Sequence, residues 1–260
     1  MPKLSITLAQ MHIALGDVGR NFRRMQDWAE EAARRGSHLV VFPELWSTGY
    51  ALEEAKELAS ALNSGMFTQV TTVATQNKIA IVGSILEKRG VEVANSAGFF
   101  APNGRVMGVY RKIHLFRLFE EDKWLSPGSA PLSIDLPWGE TALAICYDLR
   151  FPELFRHYAV NGAKMIILPA EWPLARVEHW RALLVARAIE NQCYIVAANA
   201  AGETGDTVFA GHSMIVDPWG KIVIEGGEDP MLLTAEIDLD LVDEVRQRIP
   251  VFEDRRPDLY

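Results

Sequence analysis

Three short segments carry residue types that can do chemistry together. The first is LVVFPELW, residues 39–46, in which an apolar run stops at Pro43 and Glu44 follows at once. A carboxylate at the end of a buried strand loses part of its water; its pKa rises, which suits a general base. Read alone, Glu44 is more often a surface glutamate at a strand end. The second is VYRKIHLF, residues 109–116, with Arg111 and Lys112 between two apolar runs. A solvated turn is the plain reading. A lysine held near a carboxylate has another use, because its ammonium can stabilise charge on a carbonyl oxygen. His114 reads as structural, since nothing in the chain pairs it with a cysteine. The third is ALAICYDLRFPELFR, residues 142–156. A small apolar strand runs into Cys146, Asp148 can cap, and Pro152 with Glu153 suits a first helical turn. Cys146 then faces a helix N-terminus, where the partial positive charge favours a thiolate. The backbone N–H of Tyr147 would point to where an oxyanion forms. The commoner role of a buried cysteine is that of a small hydrophobe. Cys193, inside ENQCYIVAA, fits that role, having no acid or base beside it.

The elements that must position these residues alternate between strands and helices. Apolar residues alternate over 4–8, and Phe22, Met25, Trp28, Ala29 and Ala32 recur at helical spacing within 21–35, with Gly36 as the stop. Residues 39–42 form a short buried strand. Helices are expected around 53–62 and 66–76, and strands over 79–86, 94–100 and 106–111, with Asn103-Gly104 as a hairpin signal. A strand over 141–145 leads to a helix over 152–161. Then come a strand over 165–168, a helix over 178–191, strands over 194–198, 211–216, 222–224 and 232–237, and a helix over 239–248. The alternation with hairpins implies sheet packed on sheet with helices outside. No linker divides the chain, so 1–260 reads as one domain, with 249–260 as an aperiodic tail on the surface or on a partner subunit.

The chain has 260 residues, a formal net charge of −8 and 49% hydrophobic residues. The negative balance speaks against a nucleic-acid partner. No apolar run is long enough for a membrane helix. The two cysteines show no CxxC and no zinc spacing. A cytoplasmic, reduced protein is expected, and the start has no signal-peptide pattern.

In this order, FPE, YRK and CYDLRFPE resemble the nitrilase, or carbon–nitrogen hydrolase, superfamily. The resemblance continues in VARAIENQ (185–192), GHSMIVDPWG (211–220) and IPVFEDRRPDLY (249–260), and so covers nearly the whole chain. It implies an α/β fold, a four-layer α-β-β-α sandwich that dimerises by stacking helices. It implies a Glu–Lys–Cys triad, carried here onto Glu44, Lys112 and Cys146. A second glutamate is usual ahead of a PG turn; in FEEDKWLSPG, Glu121 matches better than Glu120. In such an enzyme the glutamate takes the thiol proton and the sulfur attacks a small amide. Ammonia leaves a thioester, which water then hydrolyses. No metal or cofactor is implied, and the chain shows no G-x-S-x-G elbow, P-loop or G-x-G-x-x-G.

Within the superfamily the chain looks most like the omega-amidase branch, which deamidates 2-oxo acids such as 2-oxoglutaramate and 2-oxosuccinamate. Such substrates carry a carboxylate, so a cation is expected in the pocket. Arg176 is the first choice, with Arg150 and Arg181 behind it. Trp46, Tyr50 and Trp172 are expected as apolar wall, or else as core or rim packing. The segment PAEWP departs from the PGAFN-like stretch of many omega-amidases. Its Glu171 either disfavours an anionic substrate or pairs with a neighbouring arginine. A simple aliphatic amidase, a deaminated-glutathione amidase, an N-carbamoyl hydrolase, a nitrilase and a non-catalytic scaffold subunit remain as alternatives.

Overall fold

The structure, a computed structural model, describes residues 3–259; residues 1, 2 and 260, the ends of the expected domain and tail, lie outside it. In chain order the elements are β1 (Leu4–Gln10), α1 (Val18–Arg34), β2 (Leu39–Val41), α2 (Ala55–Leu58), α3 (Gly65–Asn77), β3 (Ala80–Arg89), β4 (Glu92–Phe100) and β5 (Val106–Arg111). The second half holds α4 (Glu121–Trp124), β6 (Leu132–Leu136), β7 (Gly139–Leu143), α5 (Pro152–Val160), β8 (Met165–Ala170), α6 (Val177–Asn191) and β9 (Tyr194–Asn199). It closes with β10 (Ala201–Thr204), β11 (Thr207–Ala210), β12 (Met214–Val216), β13 (Ile222–Glu225), β14 (Met231–Ile237) and α7 (Asp240–Arg248).

Two six-stranded sheets result, ordered β14-β1-β2-β3-β4-β5 and β13-β12-β9-β8-β7-β6. Each has a parallel centre, β1-β2-β3 in one and β7-β8-β9 in the other, flanked by antiparallel strands. The period of two sorts side chains between faces. Leu4, Ile6, Leu8, Leu39, Val41 and Val82 join the core they share with Ala142, Ile166 and Val196 of the second sheet. Their neighbours Ala9, Val40 and Ile81 point the other way, onto Met25, Ala29, Phe67 and Val70 of α1 and α3. Helices α5 and α6 cover the second sheet through Phe155, Tyr158, Leu184 and Ala188. The layers therefore run α-β-β-α.

Several elements differ from the sequence pattern. The expected helix over 53–62 is a 3-10 turn at Leu52–Glu54 and the single turn of α2. Ala59 is extended, and Ser60 bridges to Glu87 at the edge of β3, so pairing to the sheet overrides the helical pattern. The strand expected from 211 begins at Met214, because Gly211 and His212 both take positive φ. Strand β6 and the hairpin β10-β11 are not read from the sequence: LSIDL of β6 alternates but is only five residues long, and the hairpin is short and partly polar. The tail turns back on its own chain: the guanidiniums of Arg156 and Arg246 lie 5.4 and 5.1 Å from the Phe252 ring.

Candidate active site

The C-terminal ends of the central strands converge, which is where open α/β sheets place ligands. From β2 the chain passes Phe42 and Pro43 to Glu44, which is fully buried. Leu45 has a φ of 41°, and its N–H donates to Ser84 Oγ at 2.8 Å, so the turn is pinned to β3. Strand β5 delivers Lys112, also fully buried. Its exit is tight: Gly128 N–H donates to the Lys112 carbonyl at 2.8 Å, and a Cβ on Gly128 would collide with the Arg111 carbonyl oxygen. That contact is why a Pro-Gly turn follows the glutamate loop. Glu121 opens α4 immediately after Glu120, whose φ is 59°. Past β7, Cys146 has a φ of 42° and starts the 3-10 turn Cys146–Arg150. Left-handed backbone thus occurs at Cys146 itself and beside both glutamates, a clustering typical of sites that aim side chains against local preference.

The structure brings Glu44, Lys112, Glu121 and Cys146 together. Lys112 Nζ donates to Glu44 Oε1 at 2.7 Å and to Glu121 Oε1 at 2.6 Å. Burial pulls its pKa down, but the two carboxylates outweigh it and hold the ammonium charged above the ordinary lysine value. Glu44 Oε1 also accepts from Asn95 Nδ2 at 2.8 Å, and its Oε2 accepts the Glu171 N–H at 3.1 Å. Glu121 accepts from the Tyr50 hydroxyl at 2.7 Å and from the Phe116 N–H at 2.8 Å. Burial and Glu44 lift its pKa against the pull of Lys112. Glu120 stays outside, paired with Lys123 on the surface.

Cys146 is 6% exposed. Its thiol corrects the expectation of a helix-stabilised thiolate. Burial first, then the charge of Glu44, push its pKa well above the ordinary range, and Lys112 compensates only in part. Helix α5 begins six residues later, behind the 3-10 turn that Cys146 itself starts. Burial and the neighbouring carboxylate thus favour the protonated thiol over the thiolate.

Asp148 joins the two halves of the site. Its Oδ2 accepts from the Ile145 N–H at 2.9 Å and the Tyr110 hydroxyl at 2.8 Å. Its Oδ1 accepts from the His114 N–H at 3.1 Å and meets His114 Nδ1 at 2.7 Å. One buried carboxylate thus ties the lysine loop to the cysteine elbow. His114 is part of this brace, its ring stacked 3.6 Å from that of Phe151.

A cleft opens at the sulfur, lined by Phe116, Cys146, Tyr147, Arg150, Glu171, Trp172 and Arg176 among others. Trp172 is therefore wall, with its Nε1–H donated to the Arg176 carbonyl at 2.8 Å. The Arg176 guanidinium lies 5.7 Å from the Phe116 ring and that of Arg150 lies 4.7 Å from the Trp172 ring. Among the described residues neither has a carboxylate partner. Burial and the charge of Arg176 both lower the Arg150 pKa, as expected of two cations sharing one mouth. Arg181 is drawn away to Glu225 at 2.8 Å.

Two expected wall residues stand elsewhere. Trp46 is 1% exposed and packs in the core under α1 and α3, its ring 5.9 Å from Phe42. The turn at Leu45 sends residues 44 and 46 in different directions, one to the cleft and one under Gly83, which leaves no space for a Cβ beside the indole. Tyr50 reaches the cluster through Glu121 and lines a neighbouring cavity with Phe119, Glu171 and Phe209. Glu171 pairs with no arginine: both its carboxyl oxygens are buried without a hydrogen-bond partner among the described residues. The sequence reading also passed over Asn95 and Asn199. Asn199 holds the Glu171–Trp172 loop, accepting from the Trp172 N–H at 2.6 Å and donating to the Trp172 carbonyl at 3.2 Å. A polar residue within an apolar strand, as in VANSAGFF and IVAANA, is the signal that marks both.

The family model for carbon-nitrogen hydrolase matches residues 5–247. The chain is 40% identical to the 2-oxoglutaramate amidase of Bacillus subtilis, covering 99% of this chain and 100% of that protein. It is 33% identical to the human omega-amidase NIT2, over 98% of this chain and 97% of the relative. The crystal structure of XC1258 from Xanthomonas campestris, a CN-hydrolase superfamily protein with an arsenic adduct in its active site, superposes with a TM-score of 0.92 at 30% identity, covering 98% of each chain. An amidase from Nesterenkonia sp. AN1 superposes with a TM-score of 0.88 at 28% identity, covering 98% of this chain and 95% of that one. That structure is of a glutamate-to-glutamine mutant carrying the acetamide moiety of fluoroacetamide on the active-site cysteine. The chain belongs to the carbon–nitrogen hydrolase family and is a hydrolase of carbon–nitrogen bonds in amides, built on the nitrilase-type α-β-β-α sandwich.

Proposed function

We propose that this enzyme removes the ω-amide nitrogen of a small 2-oxo acid, such as 2-oxoglutaramate or 2-oxosuccinamate, through a thioester on Cys146. The reaction rests on one observation: a buried ammonium held by two carboxylates beside a buried thiol. Glu44 takes the Cys146 proton as the sulfur bonds to the amide carbon. The charge that develops on the carbonyl oxygen is met by Lys112 Nζ and the Tyr147 N–H. Glu44 returns the proton to the nitrogen, the C–N bond breaks, and ammonia leaves. Water then attacks the thioester with Glu44 as base and Glu121 beside it, and the acid and the free thiol are restored. A neutral thiol with an adjacent base avoids creating a buried thiolate before substrate is present.

The substrate class rests on Arg150 and Arg176, two guanidiniums without carboxylate partners at the mouth of the cleft, fit for an α-carboxylate. Two full-length relatives named for omega-amide substrates support the same choice. Residues 1–260 act in this reading as one hydrolase domain, working as a homodimer or higher homo-oligomer in the cytoplasm. Among the described residues no helix is long and apolar enough to cross a membrane. Ammonia release from 2-oxoglutaramate, short aliphatic amides, carbamoyl amino acids and nitriles tests the assignment. The expected order puts 2-oxoglutaramate first by at least about tenfold in kcat/KM, as befits a substrate that fills a charged subsite. A preference for uncharged aliphatic amides would replace this reading with that of a simple amidase.

A further inference from the structure

Glu171 is 1% exposed, and it is a cleft-lining residue next to Cys146. Its own N–H is held by Glu44 Oε2 at 3.1 Å, so its backbone abuts the proposed base. The loop that carries it is rigid, with Trp172 clamped on both sides by Asn199. Yet Oε1 and Oε2 of Glu171 are both buried with no hydrogen-bond partner among the described residues, although Lys112 is close enough to act on its charge. Buried polar atoms of this kind are rare and are satisfied by something. Burial, and then the neighbouring charge of Glu44, push its pKa well above the ordinary carboxylate range and so favour the uncharged form. A carboxylic acid offers one acceptor oxygen and one O–H donor side by side.

A primary amide, once bound, has two N–H groups to satisfy. Its carbonyl oxygen faces Lys112 and Tyr147, which leaves the nitrogen toward Glu44, where the proton is returned. That is the side on which Glu171 stands. We propose that Glu171 is a specificity residue that binds the leaving nitrogen: its carboxyl oxygen accepts an N–H from the substrate's primary amide and so favours amides over esters of the same acid. This role rests on the amidase reading above and goes beyond the triad and Glu121.

The test compares substrates that differ only at the leaving group. The ω-amide and ω-methyl ester of 2-oxoglutarate form one pair, and propionamide with methyl propionate forms a second. In Glu171→Met the amide-to-ester ratio of kcat/KM is expected to fall about 10–100-fold, because an amide N–H is left unpaired in a dry cleft while the ester loses nothing. Glu171→Gln keeps an acceptor oxygen at the same place and should recover most of the amide rate. Iodoacetamide labelling of Cys146 and a melting curve confirm that each variant is folded. An unchanged amide-to-ester ratio in a folded, active Glu171→Met overturns the proposal. So does a Glu171→Gln variant as impaired on amides as Glu171→Met, since an ionised carboxylate would then be required. Wild-type failure on the first pair with turnover of the second would instead overturn the 2-oxo-acid assignment and leave Glu171 to be judged on propionamide.

Discussion

Cys146 and Cys193 are both free, both buried, and both have thiol pKa values raised by burial. Cys193 sits where α6 gives way to β9, among apolar core, with Arg246 and Arg156 pulling weakly against burial. Cys146 sits on a left-handed elbow beside Glu44 and Lys112. Burial alone makes a thiol inert. A carboxylate positioned to take the proton, and an ammonium positioned for the charge that follows, make the proposed nucleophile. The difference between the two sites therefore lies in their neighbours and not in the intrinsic acidity of either sulfur.

Replacing each cysteine should produce the sharpest contrast. Cys146→Ala is expected to lose amide turnover by at least about 10⁴-fold, the scale of removing a nucleophile that acts as part of a unit. Cys193→Ala should stay within about threefold in kcat/KM while losing roughly 1 kcal/mol of stability from the small cavity it leaves. Ammonia release and chemical denaturation report the two effects. Next is the base: Glu44→Gln should lower kcat by about 10²–10⁴-fold, the range for a general base. It should also slow alkylation of Cys146 by iodoacetamide without altering that of Cys193. Equal alkylation of both cysteines in the wild type would erase the contrast. A smaller effect is expected at the brace. Asp148→Asn keeps the shape but weakens the tie between the lysine loop and the elbow, and about a hundredfold loss of kcat is expected from misplacement alone.

The smallest effect concerns stability at high pH. The Cys193 pKa is raised from 9.0 to about 12 in the folded protein. A raised pKa means that the folded state holds its proton longer than the unfolded one. The stabilisation is whole below pH 9 and is lost as pH climbs toward 12, by up to about 1.4 kcal/mol per unit. Urea denaturation from pH 8 to pH 11 should therefore fall less steeply for Cys193→Ala than for the wild type.

Much of this was legible before any coordinates. Apolar runs such as LVVF and MIIL mark strands buried by both layers, and the α-β-β-α plan follows from their alternation with helices. Glu44, Lys112 and Cys146 stand out because each interrupts or ends an apolar run, whereas Glu121 is placed only through the family resemblance, by its distance from Pro127-Gly128. What could not be read depends on direction and on distance in space. The turn at Leu45 sends Trp46 into the core, and no pattern in FPELW shows that. The elbow at Cys146 inserts a 3-10 turn before α5, and burial beside Glu44, which no local pattern shows, raises the thiol pKa. Asp148 reads as a local cap, but its partners Tyr110 and His114 come from another strand and its following loop. Glu171 reads as a charge in want of an arginine, whereas the fold buries it unpaired at the cleft. Residues that act within their own segment were visible, and those that act across segments were not.

The most direct measurement is the position of the acyl group during turnover. Wild-type enzyme mixed with an amide substrate, quenched in acid and digested, should carry the acyl mass on the peptide that contains Cys146. The peptide containing Cys193 should remain unmodified. Undiminished ammonia release by Cys146→Ala, or an acyl mass found on Cys193 alone, would contradict the account.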